Sequence, residues 1–139
     1  MKNIIICIVI MLFIACEKGP GEGGTSVIEG NIIYFERTFD PVTLQIDTHY
    51  YPKSGKDVFI IYSDNQSELY DDKFETDYNG RYHFEFLRKG NYVIYTHKDT
   101  TIQTGVDSEY DYELPIYQQI KISSDNSVNI VDDFVIENN

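Results

Sequence analysis

Apolar and polar residues alternate with a period of two through most of the chain after residue 24, and this feature constrains the fold most strongly. The clearest stretch is 41–51, where the apolar side of the pattern is Val42, Leu44, Ile46, Thr48 and Tyr50. Such residues share one face of a strand, so the pattern predicts a strand with one buried and one wet face. The stretch 57–63 is more continuously apolar and predicts a central strand. Because no segment shows a convincing helical period, we predict an all-β fold.

Turn-forming residues separate the alternating stretches at 52–55, 64–65, 79–80, 89–91 and 123–126. The predicted strands lie near 26–37, 41–51, 57–63, 68–76, 81–87, 91–98, 110–122 and 128–137. Seven or eight strands in about 115 residues are typical of two packed antiparallel sheets. With 42% apolar residues, 12 Tyr and 8 Phe, the chain is too apolar to be disordered. We therefore predict a seven- to eight-stranded antiparallel β-sandwich over residues 25–139.

An unbroken apolar run of eleven residues, Ile4–Ile14, precedes Ala15 and Cys16. The run is too short to cross a membrane as a helix and fits the apolar core of a secretory signal peptide. The residues Phe13-Ile14-Ala15-Cys16 resemble the lipobox of bacterial lipoproteins, although Phe13 departs from the usual Leu or Val. The other cysteine, Cys7, lies inside the apolar run, so Cys16 has no partner once the run is removed.

The lipobox resemblance implies removal of a signal peptide at 1–15 and acylation, for example with palmitate, of Cys16. Several acyl chains hold a protein firmly on a membrane. Glu17 is not the aspartate that signals inner-membrane retention in enteric lipoproteins, so the resemblance implies the outer membrane, on either face. Residues 16–24 would then form a flexible glycine-rich tether. The alternative is an ordinary signal peptide cut elsewhere, which would release a free secreted domain.

The stretch 76–95 resembles the signature of the prealbumin-like sandwiches, which include the carboxypeptidase regulatory-like and Cna B-type domains. The residues in register are Thr76, Asp77, Gly80, Tyr82, Phe84, Leu87, Gly90 and Tyr92. The resemblance implies a transthyretin-like β-sandwich. From the alternation, we expect Tyr82, Phe84 and Phe86 on one inward face, and Tyr92, Ile94 and Thr96 on the inward face of the next strand.

Two groups of polar residues are candidates for metal or catalytic chemistry. The histidines His49, His83 and His97 lie on strand faces predicted to be wet, and no ligand motif surrounds them. The acidic residues Asp107, Glu109, Asp111 and Glu113 alternate along a predicted strand, as candidates for Ca²⁺ or as a solvated edge. No catalytic or cofactor motif is present. We therefore predict a protein that is not an enzyme and carries no cofactor.

Net charge and tyrosine content limit the possible partners. A charge of −12 argues against nucleic acid and against electrostatic attachment to an anionic membrane. The tyrosines that so small a core cannot all bury suit carbohydrate or protein contacts: Tyr34, Tyr51, Tyr62, Tyr70, Tyr78, Tyr95, Tyr110, Tyr112 and Tyr117. We predict a lipoprotein whose sandwich is a non-catalytic binding or assembly module at the bacterial cell envelope. A small metal-dependent envelope enzyme and a structural spacer are the alternatives.

Overall fold

The computed structural model describes residues 19–103 and 109–138, and their side chains except those of 102, 103 and 109–111. Within this part of the chain the regular structure consists of nine strands in two sheets, with no helix. It accordingly contains no helix that could cross a membrane. The all-β, sandwich-like architecture agrees with the prediction. The predicted strand at 128–137 is divided in two, because residues 131–133 leave the ladder.

The first sheet is organised around the long strand β1 (Glu22–Asp40). Along one edge, β1 pairs antiparallel first with β5 (Arg81–Leu87) and then with β2 (Gln45–Pro52). Along the other edge it pairs parallel with β8 (Val128–Ile130) and β9 (Phe134–Glu137). One strand therefore joins four others into a single sheet.

The second sheet has the antiparallel order β4-β3-β6-β7. It contains β3 (Asp57–Ile61), β4 (Asp72–Glu75), β6 (Gly90–Gln103) and β7 (Glu109–Ile122). The pairing of β6 with β7 runs from Gly90↔Ile122 to Gln103↔Glu109. The predicted strand at 68–76 is shorter than expected, because residues 62–71 form a loop in which the Asp71 carboxylate accepts a hydrogen bond from the Tyr62 N–H.

The core lies between the two sheets and is built from alternate residues of β1, β3, β5, β6 and β9, with one residue from the end of β7. Its members include Ile28, Ile32, Val58, Ile60, Tyr82, Phe84, Leu87, Tyr92, Ile94, Ile122, Phe134 and Ile136. Thr96 is also buried, and its hydroxyl donates a hydrogen bond to the Asp57 carbonyl at 2.7 Å. The expected inward row Tyr92, Ile94 and Thr96 is therefore confirmed.

The predicted inward face of β5 is only partly right. Tyr82 and Phe84 are buried, but Phe86 is 66% exposed and has φ of +58°. This left-handed residue interrupts the alternation, so Leu87 enters the core instead of Phe86. The turn before β5 is as expected: Gly80 has φ of +73°, and the Asp77 carboxylate accepts the N–H groups of Asn79 and Arg81.

The prediction of a half-buried strand at 41–51 is wrong. Residues 41–44 form a turn, and β2 begins at Gln45. On the apolar side of the pattern, Val42 is 89% exposed and Leu44 is 74% exposed, while Ile46 and Tyr50 are also exposed. The cause is tertiary, because this part of the β1–β2 hairpin has no opposing sheet on either face.

The domain begins earlier than residue 25. Glu22–Gly24, which the sequence assigned to the tether, belong to β1, and the Arg88 N–H donates to the Gly21 carbonyl at 2.9 Å. Gly24 lies so close to the Leu87 backbone that a Cβ atom would come within 2.0 Å of its carbonyl oxygen. The glycines here allow β1 to lie close to the neighbouring backbone. From composition alone, the same glycines had suggested a flexible tether.

Candidate binding groove

The outer face of the first sheet carries two adjoining depressions that share Asn31 and Arg81. The first has a volume of about 450 Å³ and is lined by Asn31, Ile33, Tyr50, Tyr51, Pro52, Asn79 and Arg81. The second has a volume of about 400 Å³ and is lined by Glu29, Gly30, Asn31, Asp77, Arg81, Tyr82, His83 and Ile130. Both volumes fall in the range typical of small-ligand sites. We call the two together the Arg81 groove.

The groove forms where β1 changes partners from β5 to β2. Asn31 is the last β1 residue opposite β5 and pairs with Arg81, whereas Ile33 is already opposite Pro52 of β2. Between them, the Ile32 N–H donates to the Gly80 carbonyl at 2.8 Å, and the Ile32 carbonyl accepts from the Lys53 N–H at 3.0 Å. A gap between the ends of β5 and β2 therefore opens along the same edge of β1.

Glycine at position 80 is required for this junction. A Cβ atom there would lie 2.6 Å from the Ile32 carbonyl oxygen and 3.0 Å from the Lys53 nitrogen. Its φ of +73° is also one that residues with a side chain adopt only at a cost. The Asn79–Gly80 turn thus places Asn79 and Arg81 beside β1.

The polar groups of the groove include a cation without an anionic partner. Within the described part of the chain, the Arg81 guanidinium has no ion pair or hydrogen bond, although its backbone N–H donates to Asp77. The Asn31 amide donates to the Asp133 carboxylate at 2.8 Å, which leaves its carbonyl oxygen available. The groove therefore offers the five donors of a guanidinium and an amide acceptor to a ligand.

Two tyrosines form the apolar side of the groove. Tyr50 is 66% exposed, and its ring lies 5.7 Å from that of Phe35. The Tyr51 hydroxyl donates a hydrogen bond to the Glu36 carboxylate at 2.8 Å, which raises the pKa of Tyr51 and lowers that of Glu36. Tyr51 is thereby held in one orientation, whereas the exposed Tyr50 ring is available for a ligand.

A second aromatic surface lies on the outer face of the other sheet. The register places Phe59, Tyr95 and Tyr117 directly opposite one another on β3, β6 and β7. Ring centroids are 4.9 Å apart for Phe59 and Tyr95 and 5.2 Å apart for Tyr95 and Tyr117, and Tyr70 adds a ring 4.9 Å from Phe59. The Phe59 and Tyr95 rings are stacked at 17°, whereas Tyr117 and Tyr70 are tilted against them at 44° and 56°, so the rings pack on one another rather than forming an open platform.

The other tyrosines singled out in the sequence are dispersed. Tyr34 is buried, and Tyr62 is partly buried against Tyr92. Tyr78 and Tyr112 are exposed. Tyr110 belongs to β7, but its side chain lies outside the described part. Among the predicted tyrosines, the structure brings Tyr70, Tyr95 and Tyr117 together on one face.

The three histidines lie apart from one another, and His49 and His83 are exposed, while His83 and His97 also contact aromatic rings. His97 is half-buried, packs edge-on against Phe59 and Tyr95, and lies 4.0 Å from a Glu113 oxygen. His83 packs against the Phe74 ring at 4.5 Å and lies 3.8 Å from Glu85. No two of the three histidines contact each other among these interactions.

The acidic candidates for Ca²⁺ lie mostly outside what the structure describes. Asp107 falls in the undescribed segment, and the side chains of Glu109 and Asp111 are also not described. Glu113 is exposed and faces His97. Among the described residues, no three His, Cys, Asp or Glu side chains are grouped so that they could hold a metal ion.

The sequence reasoning did not identify Asn31, Tyr50 or Arg81 as candidate binding residues. They come from β1, β2 and β5, and only the strand pairing brings them together. One signal was present: Arg81 directly follows a turn whose carboxylate is already used by backbone N–H groups. A cation in such a position lacks a local partner and is a reasonable candidate for ligand contact.

Comparisons with known proteins define no family for this chain. No family model matches it, and no curated protein matches it. Among solved structures, it resembles a protein of Pseudomonas aeruginosa described as a candidate carbohydrate-binding protein. The two are 15% identical, with a TM-score of 0.49 over 83% of this chain and 90% of the other. A likeness of this size does not assign a function.

Proposed function

We propose that the protein is a non-catalytic binding module whose Arg81 groove takes a neutral oligosaccharide. The observation that carries this proposal is the unpaired Arg81 guanidinium, which lies between the two depressions and shares one of them with the exposed Tyr50 ring. Sugar hydroxyls both donate and accept hydrogen bonds, so they match a guanidinium, an amide oxygen and carboxylates. The apolar face of a sugar ring matches an exposed tyrosine.

A neutral ligand fits the charge distribution better than an acidic one. The chain has a net charge of −12, which disfavours the approach of polyanions. Glu29 and Asp77 line the same groove as Arg81 and can accept hydrogen bonds from hydroxyl groups. Carboxylates beside a single arginine suit an uncharged ligand with many donors.

Binding to an array of neutral and acidic oligosaccharides, followed by calorimetry with the best ligand, tests this function. Arg81→Ala and Tyr50→Ala are each expected to weaken binding about tenfold or more, because each removes a buried hydrogen bond or ring contact worth about 1.5 kcal/mol. Arg37→Ala is the matched control, since Arg37 pairs with Glu137 at 3.5 Å outside the groove lining.

Three results would contradict the proposal. The first is no binding to any oligosaccharide, and the second is equal weakening by Arg37→Ala and Arg81→Ala. The third is recovery of the ligand in altered form after incubation, which would favour the alternative of an envelope enzyme.

We further propose that this module is a prealbumin-like sandwich carried by an outer-membrane lipoprotein acylated at Cys16. The support is the apolar run 4–14, the Ala15–Cys16 pair and the signature residues at 76–92. Acyl chains would attach the domain to a membrane that its net charge otherwise repels.

Intact mass of the protein recovered from the membrane fraction of its native cell tests the anchor. The expected product begins at Cys16 and carries acyl chains, and Cys16→Ala is expected to abolish both cleavage at this position and membrane association. An unacylated product cut elsewhere would overturn the proposal for the anchor while leaving the binding groove unaffected.

A further inference from the structure

Beyond Arg37, the outer part of the β1–β2 hairpin is a two-stranded ribbon with no other part of the described chain packed on it; at its base, Asn138 donates a hydrogen bond to Glu36, and Glu137 pairs with Arg37. All residues from 41 to 50 are exposed, and so are residues 36–39 of the facing strand. The ribbon nevertheless carries large apolar side chains, among them Phe39, Ile46 and Tyr50. An isolated two-stranded hairpin is at best marginally stable in water, so this ribbon is incomplete by itself.

One edge of the ribbon has unpaired backbone groups. β2 pairs with β1 alone among the described strands and ends the sheet order on that side. Because the Lys53 N–H bonds to the Ile32 carbonyl, alternation directs the backbone groups of Tyr51, His49 and Asp47 towards β1. The N–H and C=O groups of Ile46, Thr48 and Tyr50 therefore point to the free edge.

We propose that this edge binds a second copy of the same chain, with two β2 strands pairing antiparallel about Thr48. This register is self-complementary at every position. Thr48 faces Thr48, Ile46 faces Tyr50 in both directions, and Asp47 faces His49 in both directions. These are three of the favourable cross-strand combinations: a hydroxyl pair, an aromatic with a β-branched residue, and opposite charges when the imidazole is protonated.

Other registers about a two-fold axis are less favourable. Pairing centred on Asp47 places the two Asp47 carboxylates opposite each other, and pairing centred on His49 does the same for the two imidazoles. Like charges directly opposite are destabilising in a sheet. Backbone alternation excludes registers that pair an even-numbered residue with an odd-numbered one. The Thr48 register avoids both of these pairs and aligns residues 45–51 of each strand, whereas registers centred on Ile46 or Tyr50 align fewer residues of β2.

The pairing would turn two exposed ribbons into a four-stranded sheet. Phe35, Phe39, Ile46 and Tyr50 lie on one face of the ribbon, so the dimer would join two such apolar faces. The 19-residue β1 strands of the two copies would run antiparallel, each about 60 Å long. This interface does not depend on a ligand in the Arg81 groove or on the proposed anchor.

Disulfide trapping tests the register directly. The full chain carrying Cys7→Ser and Cys16→Ser, handled in mild detergent, receives Thr48→Cys. In the proposed pair the two Cα atoms lie about 5.5 Å apart, within the range that a disulfide bridges. Thr38→Cys is the matched control, because this exposed threonine lies on β1 and is about 16 Å from its copy, three strand spacings across and two residues along the strand.

Mild oxidation is expected to convert Thr48→Cys to a covalent dimer, seen by intact mass, and to leave Thr38→Cys monomeric. The same chain without an introduced cysteine is expected to sediment at twice its monomer mass. Thr48→Pro removes the N–H that faces the partner but no bond to β1, so it is expected to yield a monomer with an unchanged circular dichroism spectrum.

The proposal is overturned if the parent chain is monomeric and Thr48→Cys does not cross-link. It is also overturned if Thr38→Cys cross-links as fast as Thr48→Cys, or if a folded Thr48→Pro chain remains dimeric. The last result would place the contact between copies elsewhere on the surface.

Discussion

Three buried tyrosine hydroxyls differ in whether they are hydrogen-bonded, and this difference predicts opposite effects of the same substitution. The Tyr82 side chain is buried against Gly30, and its hydroxyl has no hydrogen-bond partner in the described structure. Burial and the nearby Asp133 carboxylate raise the pKa of Tyr82, so the hydroxyl stays neutral. Tyr34 has a second unpaired buried hydroxyl.

By contrast, the Tyr92 hydroxyl donates to the Arg88 carbonyl at 2.6 Å and accepts from the Gly21 N–H at 2.9 Å.

The magnitudes follow from the cost of burying a polar group. An unsatisfied hydroxyl costs roughly 1–3 kcal/mol, part of which is offset by its packing, so Tyr82→Phe is expected to stabilise the fold by about 1 kcal/mol. Tyr92→Phe removes two hydrogen bonds, each worth about 1 kcal/mol, and leaves the Gly21 N–H unpaired. It is expected to destabilise the fold by about 2 kcal/mol.

Equilibrium unfolding in urea, monitored by tyrosine fluorescence and circular dichroism, measures both free energies. The slope of the free energy against urea should be unchanged, because neither substitution alters the surface exposed on unfolding. The reasoning is refuted if Tyr82→Phe destabilises the protein as much as Tyr92→Phe does. It is also refuted if the two variants cannot be distinguished from the parent.

Two further predictions concern β1. Gly24→Ala is expected to lower the free energy of unfolding by about 3 kcal/mol, because its Cβ would collide with the Leu87 backbone. Gly19→Ala is the control: no atom lies near its Cβ, so the melting temperature should be unchanged. Hydrogen bonds lower the pKa of Glu36, chiefly through the Tyr51 hydroxyl, and of Asp40, chiefly through the Val42 N–H. A carboxyl group whose pKa is lowered by folding stabilises the folded hairpin at pH values above its pKa in the unfolded chain. This stabilisation is lost as the pH falls through the lower pKa that the group has in the folded chain. The hairpin amide signals are therefore expected to change below about pH 4 in an NMR titration, and signals that stay constant to pH 2 would contradict this.

Local sequence signals predicted the elements whose environment is decided within a few residues. The Asn79–Gly80 turn was recognised because it needs a residue that tolerates positive φ, and the inward row of β6 was recognised from its alternation. The pattern failed at Phe86, where one left-handed residue exchanged the faces of β5. No period-based argument detects such an interruption, because the residue types on either side remain apolar.

The candidate groove could not be predicted in the same way. Asn31, Tyr50 and Arg81 are far apart in sequence, and they meet because β1 pairs with β5 along one part of its length and with β2 along the next. The aromatic row was half-anticipated, since its tyrosines were expected at the surface. Their ring contacts at 4.9–5.2 Å depend on the register of three strands.

The sequence by itself determined that this chain forms strands, where most of them turn, and which residues share a face. It also carries the Cys16 signal, which no part of the described structure tests. Only the tertiary structure decided what lies across each face: β2 has the alternation of a half-buried strand but extends beyond the opposing sheet. The alternation of apolar and polar residues shows which side chains lie on the same face of a strand. Whether that face is buried depends on a second surface, which distant parts of the chain supply.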